Sequence, residues 1–126
     1  MFQNAFAVFF GGAFGALFRF LISEFFPVSR WGIPFTIIAV NFLGCFIMGF
    51  IDSLYENGSQ SIHVKHFVII GFLGGFTTFS AFSLEFSTLV KNGNFVSSIV
   101  YLSVSMSLAI FGFFAGYMLA KVFKQN

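Results

Sequence analysis

The chain has 126 residues, of which 58% are hydrophobic, only 8% are charged and 24 are Phe. A soluble domain carries roughly 25% charged residues, so this composition excludes an ordinary soluble protein and points to an integral membrane protein. The net charge of +2 is too small and too scattered for a nucleic-acid surface.

Four apolar stretches, at about 4–23, 33–51, 66–90 and 95–120, are each near or above the ~20 residues that cross the hydrocarbon core as a helix. The expected fold is therefore all-α: one membrane domain over residues 1–126 with four transmembrane helices. The first stretch lacks a basic n-region and an A-x-A-like cleavage site, so it reads as a span rather than a signal peptide. It carries Gly11-x-x-x-Gly15, a small-residue pattern that lets helices approach closely. Arg19 follows one turn later. It can snorkel to headgroups, cap a carbonyl or attract an anion into a vestibule. Pro27 and Pro34 flank the first loop, with Trp31 suited to an interfacial anchor.

In the second span Asn41 lies near the middle, and Gly44, Cys45 and Met48 share its face. Its amide can donate two hydrogen bonds. Polar groups at membrane depth are costly and tend to be functional, so Asn41 is either glue between helices or a donor in a polar path. Cys45 is the only cysteine, which excludes an intrachain disulfide, and reads as a small packing residue. Asp52 to Lys65, with Asn57-Gly58 inside it, reads as a loop.

The third span holds the most informative run, Gly71-Phe72-Leu73-Gly74-Gly75-Phe76-Thr77-Thr78-Phe79-Ser80-Ala81-Phe82. Two adjacent glycines and two threonines weaken a helix there, so this span is predicted to be broken near its middle. Such a break survives at membrane depth only where protein or a polar cavity satisfies the freed backbone. Freed carbonyls bind cations, and freed amides and hydroxyls bind anions. Thr78, Phe82 and Glu85 share a face, with Phe79 beside it, and Ser80, Ser83 and Ser87 form another stripe. Ser83 and Ser87 can bond back to their own helix. Glu85 is either a pathway carboxyl or an interfacial one. Gly71-x-x-x-Gly75 is a second small-residue pattern, and Lys91-Asn92-Gly93-Asn94 is a tight turn.

In the fourth span Ser98, Tyr101 and Ser105 form a ladder of hydroxyls that ends where Ala109 and Phe113 continue the same face. Ser97, Ser103 and Ser107 point elsewhere and read as packing residues. Gly112-x-x-x-Gly116 is the third small-residue pattern.

An even number of spans puts both termini on one side. Lys65, Lys121 and Lys124 lie there, against Arg30, Lys91 and Arg19 toward the other. That balance gives almost no positive-inside signal. Either one orientation wins by a small margin or the chain inserts both ways and pairs as an antiparallel dimer. The three Gly-rich faces and the difficulty of enclosing a polar path with four helices both favour a homo-oligomer. The intramembrane inventory is rich in donors, and the positive ring edges of Phe79 and Phe82 can turn toward one small anion. Residue chemistry thus reaches a small-ion channel or transporter and no enzyme, without naming the ion.

Gly74-Gly75-Phe76-Thr77-Thr78-Phe79-Ser80-Ala81-Phe82, with Asn41-Phe42-Leu43-Gly44 and Gly15-Ala16-Leu17-Phe18-Arg19, closely resembles the Fluc family of fluoride channels, the CrcB proteins. The resemblance implies an antiparallel, dual-topology homodimer in the bacterial cytoplasmic (inner) membrane that exports fluoride passively through two pores. It implies that Gly74 and Thr77 carbonyls of both copies hold one structural Na⁺ at the dimer centre. It implies that Phe79 and Phe82 line the pores, that Asn41 donates to fluoride, and that Thr78 and Ser80 add hydroxyls. Tyr101 and Ser105 would belong to a polar track with Glu85 near its end. Two departures from the family pattern stand out: Ile37 occupies a place often held by a hydroxyl residue, with Thr36 one residue off, and Ala109 and Phe113 interrupt the track. A small proton-coupled multidrug transporter is the alternative, but it needs a central carboxylate in the first helix, where this chain has only Glu24 at the far end. A non-transporting assembly factor is the third reading.

Overall fold

The computed structural model describes residues 2–27, 29–30, 32–55 and 62–125. The sequence readings for Trp31 and for Asn57-Gly58 fall outside these residues. Helix α1 runs Phe2–Phe25, α2 Phe35–Tyr55, α3 Ile62–Lys65, α4 Gly74–Phe76, α5 Phe79–Lys91 and α6 Phe95–Gln125. Between α3 and α4, residues His66–Leu73 form a π-helical segment. A two-residue antiparallel ladder, β1 Ser29–Arg30 with β2 Ile33–Pro34, closes the first loop. Four helical stretches, Phe2–Phe25, Phe35–Tyr55, Ile62–Lys91 and Phe95–Lys124, are long and apolar enough to cross a membrane. At 1.5 Å per residue, α1 reaches about 36 Å, more than the ~30 Å hydrocarbon core. The chain is a multi-pass membrane protein.

The helices overrun the apolar stretches because hydropathy marks the hydrocarbon, not the helix. Helix α2 continues through Asp52 and Ser53 to Tyr55, into what reads from sequence as loop. The Lys124 ammonium donates to the Ser53 carbonyl and ties the end of α6 to the end of α2. Gly93, at φ 75°, ends α5: the Asn94 amide returns to the Leu89 carbonyl at 2.9 Å and the Asn94 carbonyl then starts α6.

Two glycine seams set the packing. In the first, α1 lies against the π segment and α4, with Gly11 and Gly15 on one side and Gly71 and Gly75 on the other. A Cβ on Gly15 would overlap the Phe72 carbonyl and lie 2.8 Å from the Phe76 amide nitrogen. In the second, α2 lies against α6, where a Cβ on Gly49 would overlap the Phe113 carbonyl. All three small-residue patterns are therefore used between helices of one chain. They do not by themselves argue for a second copy, which corrects one support of the oligomer expectation.

A buried apolar cluster gathers Ile33, Ile37, Ile38, Phe82, Leu89 and Tyr101 from β2, α2, α5 and α6. Outside it, most large side chains face out of the chain. Phe2, Phe6, Phe9, Phe10, Phe14 and Phe18 of α1 are each at least 50% exposed, as suits a surface solvated by lipid or by protein rather than water.

Candidate functional site

The site is organised by the backbone at Thr77 and Thr78. Thr77 has ψ 152° and Thr78 has φ −152° and ψ 126°, both extended, between α4 and α5. The Thr77 amide and hydroxyl both still bond the Leu73 carbonyl, each at 2.9 Å. Beyond that point the regular ladder is diverted. A continuous helix gives the Thr78 N–H to the Gly74 carbonyl and the Ala81 N–H to the Thr77 carbonyl. Here the Thr78 N–H donates to Asn41 Oδ1 at 2.9 Å, and the Ala81 N–H donates to Thr78 Oγ1 at 3.2 Å. The second bond is an N-cap, the usual role of Thr at a helix start. Ser80 Oγ joins it, 2.9 Å from Thr78 Oγ1.

Asn41 reaches this backbone from α2 and uses both ends of its amide, since Nδ2 also donates to the Thr78 carbonyl at 3.2 Å. The two sequence readings of Asn41 are thus not exclusive: one N–H is engaged between helices, and a primary amide has a second. From α1, Arg19 Nε donates to the Gly75 carbonyl at 3.4 Å. Of the roles open to it, capping a carbonyl is realised. A cation there also complements the negative end of the helical run that stops at Phe76.

Beside the extended residues lies an open recess of about 340 Å³, lined by Asn41, Cys45, Gly74, Thr77, Thr78, Phe79, Phe82, Ser105, Met106 and Ala109. It brings together most of the sequence-predicted residues from three of the four spans. The Phe79 and Phe82 rings are 5.3 Å apart, and Phe82 stacks on Tyr101 at 5.2 Å. Phe82 is buried, whereas Phe79 is 69% exposed and faces out of the chain. Behind Phe82, the Tyr101 and Ser105 hydroxyls are buried beside each other. The Ser98 hydroxyl bonds back to the Phe95 carbonyl at 2.7 Å and is satisfied.

Glu85 and Arg19 belong to a different space. They line a second cavity of about 530 Å³ with Ala16, Phe20, Ser23, Pro27, Gly32, Pro34, Thr36, Ile37 and Ala81. This vestibule contains one basic and one acidic side chain. Ser80 lines neither cavity and meets the site through Thr78.

Sequence reasoning passed over Cys45, Met106 and Ala109 as site residues. The signal was present for two of them: Cys45 is one turn from Asn41, and Ala109 one turn from Ser105. Being small or apolar, they read as packing. Among the described residues, no group of three or more His, Cys, Asp or Glu could hold a metal. The Gly74 and Thr77 carbonyls lose their regular amide partners, because Thr78 N–H donates to Asn41 and Ala81 N–H to Thr78 Oγ1. Uncharged backbone oxygens of this kind suit a hard cation of low charge.

A family model described as "CrcB-like protein, Camphor Resistance (CrcB)" matches residues 6–117. A protein of Campylobacter fetus named "Fluoride-specific ion channel FluC" is 35% identical over 125 residues, 96% of each chain. The protein of that name in Azobacteroides pseudotrichonymphae is 38% identical, over 98% of this chain and all of its own. That in Chlorobium phaeobacteroides is 39% identical over 113 residues. The family model runs through all four spans, and the chain belongs to the CrcB family of FluC channels.

Proposed function

We propose that the chain is a fluoride channel through which F⁻ leaves a bacterial cell passively across the cytoplasmic membrane, relieving fluoride toxicity. The observation that carries this reading is the recess itself. It sets a side-chain amide, aromatic rings and a buried hydroxyl beside extended backbone at membrane depth, in a chain whose relatives are named fluoride channels. Hydrocarbon cannot solvate such groups, so a recess open on the surface of the chain calls for a second protein wall.

That wall is a second copy, inverted relative to the first, and the pair encloses two pores. The balance of basic residues, three toward each side, supports insertion in both orientations. At the centre of this dimer the Gly74 and Thr77 carbonyls of both copies would hold a structural Na⁺, which supplies positive charge and joins the two chains.

Fluoride is strongly hydrated, and a narrow path must replace the water it sheds. Arg19 draws the anion into the vestibule it shares with Glu85. The free N–H of Asn41, the hydroxyls of Thr78 and Ser80, and the positive ring edges of Phe79 and Phe82 then take over from water. Tyr101 and Ser105 continue the path with their buried hydroxyls. No one station binds strongly enough to trap the ion, which conduction requires.

Fluoride efflux from liposomes containing the purified protein, with chloride as matched control, tests this. Fast fluoride release with little chloride release is expected. A folded, dimeric protein that releases neither ion overturns the reading, and proton flux stimulated by cationic drugs would move it to the multidrug class.

A further inference from the structure

We infer that Asn41 is a positioning residue, whose side-chain amide holds the Thr77–Thr78 backbone in its extended form. The inference rests on the channel reading above and adds to it the device that shapes the path. The observation is a matched pair of hydrogen bonds to one residue: Thr78 N–H to Asn41 Oδ1 at 2.9 Å, and Asn41 Nδ2 to the Thr78 carbonyl at 3.2 Å.

Geometry makes this pair selective. In an extended residue the N–H and C=O point to the same side, as when two residues facing each other across antiparallel strands exchange both bonds. In a helix the N–H and C=O of one residue point opposite ways along the axis. A planar amide, with donor and acceptor side by side, can therefore satisfy both groups of Thr78 only when Thr78 is extended. Its φ of −152° and ψ of 126° meet that condition. Asn41 acts as a single rung of a β-ladder supplied by a helix.

The opposing force is the helix. Without Asn41 the Thr78 N–H has no partner at membrane depth, and burying it unbonded is costly. Its regular helical acceptor is the Gly74 carbonyl. Closure onto that carbonyl would consume a proposed cation ligand and turn α5, which begins at Phe79 and carries Phe82. The Thr78 hydroxyl cannot prevent this, because it is an acceptor for Ala81 further on.

The test uses the full chain, labelled with ¹³C and ¹⁵N, in liposomes. Solid-state NMR reads the Thr78 Cα and Cβ shifts relative to their random-coil values, and fluoride efflux is measured in parallel. In the wild type Thr78 is expected on the extended side. In Asn41→Leu it is expected to move to the helical side, with efflux lost. Asn41→Asp in acidic buffer is the rescue: a carboxylic acid presents C=O and O–H in the same arrangement, so Thr78 is expected to return to the extended side. Thr78 remaining extended in Asn41→Leu, or staying helical in Asn41→Asp, overturns the inference. Should Asn41→Leu not fold, Asn41→Ala is read in the same way. A wild type that passes no fluoride would refute the channel reading while leaving the Thr78 comparison intact.

Discussion

Replacing Gly15 by Ala tests the seam that presses α1 against the segment leading into the extended residues. The new Cβ would overlap the Phe72 carbonyl, and would lie 2.8 Å from the Phe76 nitrogen and 2.9 Å from the Phe72 carbonyl carbon. All three are backbone atoms, so no side chain can swing aside and one helix must move. Overpacking of this kind costs about 3 kcal/mol at the upper end of its usual range. Higher helix propensity of Ala over Gly returns about 1 kcal/mol. The net loss is then about 2 kcal/mol, or roughly 8 °C in apparent Tm at about 4 °C per kcal/mol. Gly12→Ala is the internal control. Its Cβ would meet only the Gly71 carbonyl oxygen, at an ordinary 3.8 Å. That variant gains propensity without overlap, and its Tm is expected to hold or rise. Thermal unfolding of both variants in one detergent, followed by size-exclusion chromatography, makes the comparison. Fluoride efflux is expected to fall in Gly15→Ala, because Phe72 and Phe76 flank the Gly75 carbonyl that Arg19 caps. Equal Tm values for the two variants would refute the reasoning.

Other substitutions separate the path from its frame. The double variant Phe79→Ile, Phe82→Ile keeps apolar volume but removes the ring edges, so efflux is expected to drop sharply while the protein still assembles; normal flux in an assembled double variant counts against both residues. Tyr101→Phe deletes a buried hydroxyl beside Ser105 but keeps the ring stacked on Phe82. Tm is therefore expected to hold while efflux falls; a lower Tm with unchanged efflux would make the hydroxyl structural. Exchanging Na⁺ for a large organic cation is expected to lower the dimer fraction and efflux together, as read by crosslinking and the fluoride electrode; a dimer indifferent to the exchange removes Na⁺ from the proposal.

Much of the architecture was legible in the chain. A composition 58% hydrophobic and 8% charged leaves helices that satisfy their own backbone as the economical way to sit in a bilayer, and their number follows from the polar interruptions. Gly74, Gly75, Thr77 and Thr78 mark a weak point through local propensity alone. The hydroxyl ladder at Ser98, Tyr101 and Ser105 follows from helical spacing, although Ser98 proves to be satisfied by its own helix. The eight-residue π segment has no comparable local signal.

What residue order could not decide was who partners whom. Asn41 and Thr78 are 37 residues apart, and Arg19 and Gly75 are 56 apart. Hydropathy and propensity are properties of neighbours along the chain, whereas these bonds depend on which helices lie side by side. The glycine patterns show the same division. Sequence predicts close approach at Gly11, Gly15, Gly71, Gly75, Gly112 and Gly116, but not whether the approaching surface belongs to the same chain. Packing assigns all six to contacts within it, because each pattern finds a facing carbonyl there at less than the distance a Cβ would need. Spans, a weak point and a stock of donors were set by composition and spacing. The donors' aim was set by tertiary packing, since a hydrogen bond requires direction as well as proximity.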